Sequence, residues 1–274
     1  MEERRRDVRG EDDVRDSFRY YALAGSVAAF VAIWWAIALA VANPKQVVSP
    51  LAAGQAFEHL FTNQVLRGEL VTGTEITLTS VLAAFLLAAA VGIPLGLFMG
   101  RYLVVDLFLD PWVTSWYSIP AIAFVPLTMN WMGITWESTV VTGFLVAVFS
   151  VTLNVYSGVR SVGSQVLEPA ISYGASQAQL LSKVILPASL PSIMLGLRLG
   201  VARAIEGVVI AEMTLTVIGL GGLIDSAADK LQLSQAIALI LVLAAISVAL
   251  SEVMKWANRK AVPWKEAQAI VREK

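Results

Sequence analysis

Between residues 20 and 41 the chain runs twenty-two positions without a charged side chain. At 1.5 Å per residue a helix of that length matches the roughly 30 Å hydrocarbon core of a bilayer. Five more apolar stretches follow, over 76–99, 111–132, 138–157, 193–218 and 236–256. The first three of these are also uncharged, 193–218 holds four charged residues, and 236–256 is clean until Glu252 and Lys255 near its end. Only 15% of the 274 residues are charged and 57% are hydrophobic, whereas soluble domains carry about a quarter charged residues. A surface facing water cannot carry that surplus, but one facing lipid can. The chain therefore reads as an all-α polytopic membrane protein with about six transmembrane helices. Residues 20–257 form the membrane domain, between tails at 1–19 and 258–274.

Composition also excludes chemistry. The net charge is −1, so no basic surface argues for nucleic acid. The absence of cysteine rules out disulfides, iron–sulfur clusters and thiolate zinc sites. The single histidine, His59, supports neither a histidine metal cluster nor a Ser/His/Asp nucleophile. No glycine is followed by lysine, so a G-x-x-x-x-G-K-[ST] phosphate loop is missing. The chain is expected to need no cofactor and to catalyse no reaction itself; if it pumps, a partner hydrolyses the ATP.

Orientation follows from basic residues, which concentrate on the cytoplasmic side. With the N-terminus inside, fifteen lysines and arginines fall in the tails and inner loops, among them Arg101, Arg160 and Lys183. Only Lys45, Arg67 and Lys230 fall outside. An even number of spans puts both termini in the cytoplasm of a multi-pass protein of the cell (inner) membrane. No small-residue site ends the first apolar run, so no cleavable signal is expected. The tail 1–19, with six arginines and seven acids, reads as a solvated mixed-charge segment. Outside, residues 51–62 suit a short helix on the membrane surface, and His59 reads as an ordinary surface or interface residue.

The loop 158–192 is long for a link between spans. Pro169 suits a first helical turn, Gly174 suits a corner with positive φ, and Ser176 suits a helix cap. The next helix should end ahead of Pro187, because proline pushes its predecessor out of the α region. Two readings fit a short helix here: it docks in a groove on a partner, or it lies on lipid headgroups.

The spacing Glu168, Ala170, Gly174, Val184, Leu186 and Pro187 resembles the "EAA" motif of permease subunits of binding-protein-dependent ABC importers, with Pro169 where alanine is usual. The run from Tyr117 to Leu127, followed by Trp131-Met132-Gly133-Ile134, is similar to the aliphatic sulfonate/nitrate/taurine branch. So are Gly92 to Gly96, Asp110-Pro111, Asn154 to Arg160 and Gly219 to Leu223. The resemblance implies a type I ABC importer permease fold in which a coupling helix, 174–186, docks on a separate cytoplasmic ATPase. The coupling residues it implies are Glu168, Ala170, Gly174, Ala175, Ser176, Val184, Leu186 and Pro187. It also implies two ATPase subunits, a second permease copy or paralogue, and an extracytoplasmic solute-binding protein. The solute class implied is a small organic anion such as a sulfonate, or nitrate.

Span five holds Arg198, Arg203, Glu206 and Glu212. A charge at the bilayer centre costs roughly 2.5–3.5 kcal/mol on insertion scales, so these side chains should face the bundle, water or one another. Arg198 can snorkel towards the cytoplasmic end. Arg203 and Glu206, three residues apart, share a helix face and can pair. They either line a translocation path or glue span five to its neighbours. Trp116 and Tyr117, beside Pro120, admit solute stacking as well as packing; Trp112 and Trp136 suit an aromatic belt. Asn130 completes the pathway candidates, which are Trp116, Tyr117, Asn130, Arg203, Glu206 and Glu212. From the residues alone, a secondary transporter driven by an ion gradient through Arg203, Glu206 and Glu212 is the alternative.

Overall fold

A computed structural model describes residues 2–41, 43, 46–215 and 219–263. Met1, Lys45, the end of expected span five at 216–218 and most of the C-terminal tail lie outside the described residues. The described chain is helical: α1 (Glu2–Val41), α2 (Pro50–Thr62), α3 (Gln64–Arg101), α4 (Leu103–Tyr117), a 3-10 turn (Ala121–Phe124), α5 (Val125–Met132), α6 (Trp136–Arg160), α7 (Ser164–Ser172), α8 (Gln177–Gln179), a π turn (Leu180–Ile185), α9 (Leu186–Leu215), α10 (Leu220–Asp229) and α11 (Leu233–Ala261). Among the described residues five stretches are long and apolar enough to span a membrane by themselves: Ala24–Val41, α3, α6, Gln177–Leu215 and α11.

The expected third span is a correction: 111–132 is not one helix. Pro120 has no N–H to continue α4 and holds extended backbone at φ −57°, ψ 136°, and the chain resumes through the 3-10 turn into α5. The crossing is nonetheless made, as the packing of α3 on α6 shows. A Cβ on Gly92 would touch Val151 at 3.0 Å, one on Gly96 the Thr152 carbonyl at 2.5 Å, and one on Gly100 Val159 at 2.6 Å. Residue numbers rise together, so α3 and α6 run parallel. The link between them must return across the membrane, and α4–α5 is that link.

Helices α6 and α9 run antiparallel and just as close. Cβ atoms added at Gly196 and Gly200 would meet Asn154 at 2.8 Å and Val151 at 2.6 Å, and one at Gly207 the Gly143 Cα at 2.8 Å. Small residues spaced by about one turn let backbones approach where lipid offers no hydrophobic drive, so dispersion contacts hold the helices together. Val81, Ala84, Ala88, Ala147, Ala204 and Val208 fill this three-helix centre. In contrast, α1 is largely exposed among the described residues, and close to α2 its Trp34 Nε1 donates to the Val48 carbonyl at 2.8 Å. It also continues from Glu2 as one helix, so residues 2–19 are helical and run into the first span. The surface helix expected at 51–62 is α2, capped by Ser49, whose hydroxyl accepts from Ala52 N at 3.2 Å; His59 is exposed on it.

Candidate functional site

The break at Pro120 opens a cavity of about 220 Å³ between α4, α6 and α9, lined among others by Trp116, Tyr117, Phe149, Arg203 and Glu206. Trp116 stacks on Phe124 with centroids 5.9 Å apart and leans on Phe149 at 6.1 Å. The Arg203 guanidinium donates to Glu206 Oε2 at 2.8 Å and lies 5.9 Å from the Tyr117 ring centroid. Both charged side chains remain over 40% exposed, so their attraction is screened and contributes under about 1 kcal/mol. The ion pair lies within α9 and cannot tie that helix to a neighbour; the contact that crosses helices is Arg203 on Tyr117.

Of the six pathway candidates, the structure brings together Trp116, Tyr117, Arg203 and Glu206. Asn130 is exposed on α5 and does not line the cavity. Glu212 lies elsewhere, with no solvent exposure. The Thr77 hydroxyl sits 2.9 Å from both carboxylate oxygens, and Gly221 N donates to Oε2 at 2.9 Å. Thr77 Oγ1 in turn accepts from Leu220 N at 2.9 Å. The carboxylate thus fastens the first turn of α10, whose N–H groups have no intrahelical acceptor, to α3 and α9. A Cβ on Gly219 would fall 2.2 Å from the Glu212 Cδ, so only glycine fits there. Sequence reasoning missed this latch; its one local signal was the Gly219-Leu220-Gly221-Gly222 run just past an acid within a span.

At the end of the bundle that carries Arg101 and Arg160, the loop forms a compact corner. Gly174 takes φ +80°, the left-handed conformation expected of it. The Ser176 hydroxyl accepts from Gln179 N while the Gln179 side chain accepts from Ser176 N at 2.8 Å, a reciprocal cap. Two details differ from expectation. Pro169 sits in the second turn of α7, because that helix already starts at Ser164 with Gly163 as its cap. Pro187 does not follow a helix end. The π turn lets Leu186 N reach back to the Leu181 carbonyl, the wider turn takes in the proline ring, and α8 runs on into α9. From Gln177 the segment 174–186 therefore runs on without a gap, as Gln177–Leu215, and does not end as a free-standing helix.

This corner is seated from inside and open from outside. Leu180 and Ile185 are buried against Val155 and Val159. Arg101 hydrogen-bonds Gln177, and Arg160 pairs with the buried Asp106 at 2.7 Å. Facing outward, Tyr173 is 92% exposed and Ile171 57%, and Glu168, Gly174, Ser176 and Pro187 are exposed as well. Ala170, Ala175 and Val184 are half-buried, and Leu186 is partly exposed.

Comparison with known proteins agrees with this geometry. Residues 92–265 match the family described as binding-protein-dependent transport system inner membrane component. The chain is 32% identical over 247 residues to the taurine transport system permease protein TauC of Escherichia coli, covering 88% of each. It is 27% identical over 187 residues to the bicarbonate transport system permease protein CmpB of Synechococcus elongatus, covering 68% of this chain and 67% of the relative. Among solved structures, a chain of the inward-facing MetNI methionine ABC transporter superposes with a TM-score of 0.63 at 18% identity, covering 74% of this chain and 98% of that one. At that identity the likeness is one of fold.

Proposed function

The chain belongs to the binding-protein-dependent transport inner membrane family, and from that premise we propose that it forms the translocation pathway of an ATP-driven importer for a small anionic solute of the sulfonate, nitrate or taurine kind. A binding protein delivers the solute from outside. Two cytoplasmic ATPase subunits, separate from this chain, hydrolyse the ATP. A second copy or a paralogue completes the membrane pair, and both termini of this chain lie in the cytoplasm. The ATPase docks on the corner formed by Glu168, Ala170, Gly174, Ala175, Ser176, Val184, Leu186 and Pro187. The taurine relative's name supports the solute class; the exposure of Tyr173 and Ile171 supports docking.

One observation carries the reading. The stretch Gln177–Leu215 bears the corner at one end and Arg203 and Glu206, beside the cavity, further along. Displacement of the corner by a closing ATPase would therefore reach the cavity wall through one continuous helical segment, by way of the π turn. The structure gives less support to gradient-driven transport through Arg203, Glu206 and Glu212, because Glu212 is sealed from the other two by burial and its own hydrogen bonds. The test is purification of the chain from its native membranes in mild detergent. A stoichiometric cytoplasmic ATPase, lost when Gly174 is replaced by valine, is the expected result; a stable chain with no ATPase at any nucleotide or salt condition overturns it.

A further inference from the structure

A second groove, of about 450 Å³, runs between α9 and α11 and is lined by Leu195, Arg198, Leu199 and Ala202 on one side and Ser247 and Ser251 on the other. It lies on the side of α9 turned away from the Gly196 and Gly200 contacts with α6. The exposed strip that holds it, with Leu195, Arg198, Leu199 and Ala202, continues to Arg203. Arg198 sits between the levels of Asn154 and Val151, roughly 10 Å inside Arg160 at 1.5 Å per residue. At that depth an ionised side chain turns to a water-filled path, a partner or the cytoplasmic face, and not to lipid tails.

The two arginines on this strip differ in their charge balance. Arg203 is neutralised by Glu206 at 2.8 Å. Arg198 has no hydrogen-bonding partner among the described residues, and its five N–H donors are free. The Ser251 hydroxyl in the same groove is likewise unbonded, whereas Ser247 Oγ donates to the Leu243 carbonyl at 2.8 Å. The nearby acid, Glu252, is hydrogen-bonded by Lys255 and has both Arg198 and Arg259 within electrostatic range. Arg198 is the one charged side chain in the groove's lining, and the groove carries positive charge.

We propose that Arg198, with the Ser251 hydroxyl, is the anion-selecting station of the pathway: it holds a small oxyanion such as a sulfonate or carboxylate between α9 and α11. This assignment rests on the importer reading and deepens it, since it moves charge selection from Arg203 to a residue one and a half turns nearer the corner. The fork of the guanidinium matches two oxyanion oxygens, the serine donates to a third, and the leucines and Ala202 accept an apolar tail.

The cysteine-free chain permits a direct test in membrane vesicles. Ser251→Cys places a thiol in the groove, to be modified by sulfonatoethyl methanethiosulfonate, itself an alkylsulfonate anion, or by its trimethylammonioethyl cation counterpart. Relative to their rates with a free thiol in solution, the anionic reagent is expected to be favoured, and Arg198→Gln to lower the anion-to-cation rate ratio by roughly tenfold, as the loss of one nearby unit charge in a partly hydrated site implies. Arg198→Lys retains most of the ratio, which separates charge from misfolding. Added methanesulfonate slows both reagents, and phosphatidylglycerol leaves them unchanged. A thiol that neither reagent reaches, a ratio indifferent to Arg198→Gln, or slowing by phosphatidylglycerol alone overturns the proposal. A chain that brings down no ATPase overturns the importer reading separately, because the rate ratio is measured without one.

Discussion

Glu206 and Glu212 stand on the same helix, six residues apart, and do opposite things. Glu206 keeps 41% of its side chain exposed beside a cavity and answers a single arginine. Glu212 is fully buried, and its oxygens are taken up by Thr77 and the backbone of Gly221. A carboxylate in a membrane protein is costly in either place; one meets the cost with water and the other with fixed donors. The exposed acid stays open to the cavity, and the buried one serves to keep α10 in place.

The contrast breaks most sharply at the latch. Glu212→Ala leaves the Thr77 hydroxyl and the Gly221 N–H without an acceptor, each worth about 1–3 kcal/mol when orphaned, and removes buried volume as well. A loss of roughly 3–5 kcal/mol is expected, seen as a fall of many degrees in the temperature at which the detergent-purified chain aggregates. An unchanged midpoint would show that the carboxylate holds nothing. Next comes Gly96→Leu, where a side chain must enter a space in which even a Cβ meets the Thr152 carbonyl at 2.5 Å; overpacking of about 1–3 kcal/mol follows, by the same assay.

Gly174→Val tests the corner. A β-branched residue at φ +80° costs roughly 1–2 kcal/mol, and the expected signature is loss of ATPase co-purification with the spans still folded. The smallest stability effect belongs to the exposed pair: Arg203→Gln and Glu206→Gln shift stability by under about 0.5 kcal/mol, yet each lowers solute uptake by the reconstituted complex. If uptake survives both, the cavity beside Tyr117 is not on the path.

What could be read from the residues in advance follows the range of the physics involved. The long spans were legible because bilayer thickness sets a run length that any single stretch reveals. The corner at Gly174 and the cap at Ser176 were legible because a positive φ and an N-cap are decided within four residues. Arg203 with Glu206 was legible for the same reason. The break at Pro120 was hidden because hydropathy counts apolar residues without asking which way the backbone goes. Pro187 was misplaced because a local rule about proline was overridden by a π turn. The bond from Thr77 to Glu212 joins positions 135 residues apart, and no local pattern encodes such a meeting.

The continuous helix from Gln177 to Leu215 also has an elbow. At 1.5 Å per residue a straight helix would carry Gln177 roughly 20 Å past the level of Ser192, where Gly158 packs. Gln177 instead bonds Arg101, whose neighbour Gly100 rests on Val159. The π turn and Pro187 supply the bend. A push on the corner would reach the spans through a crank set against the end of the bundle, not along a straight shaft.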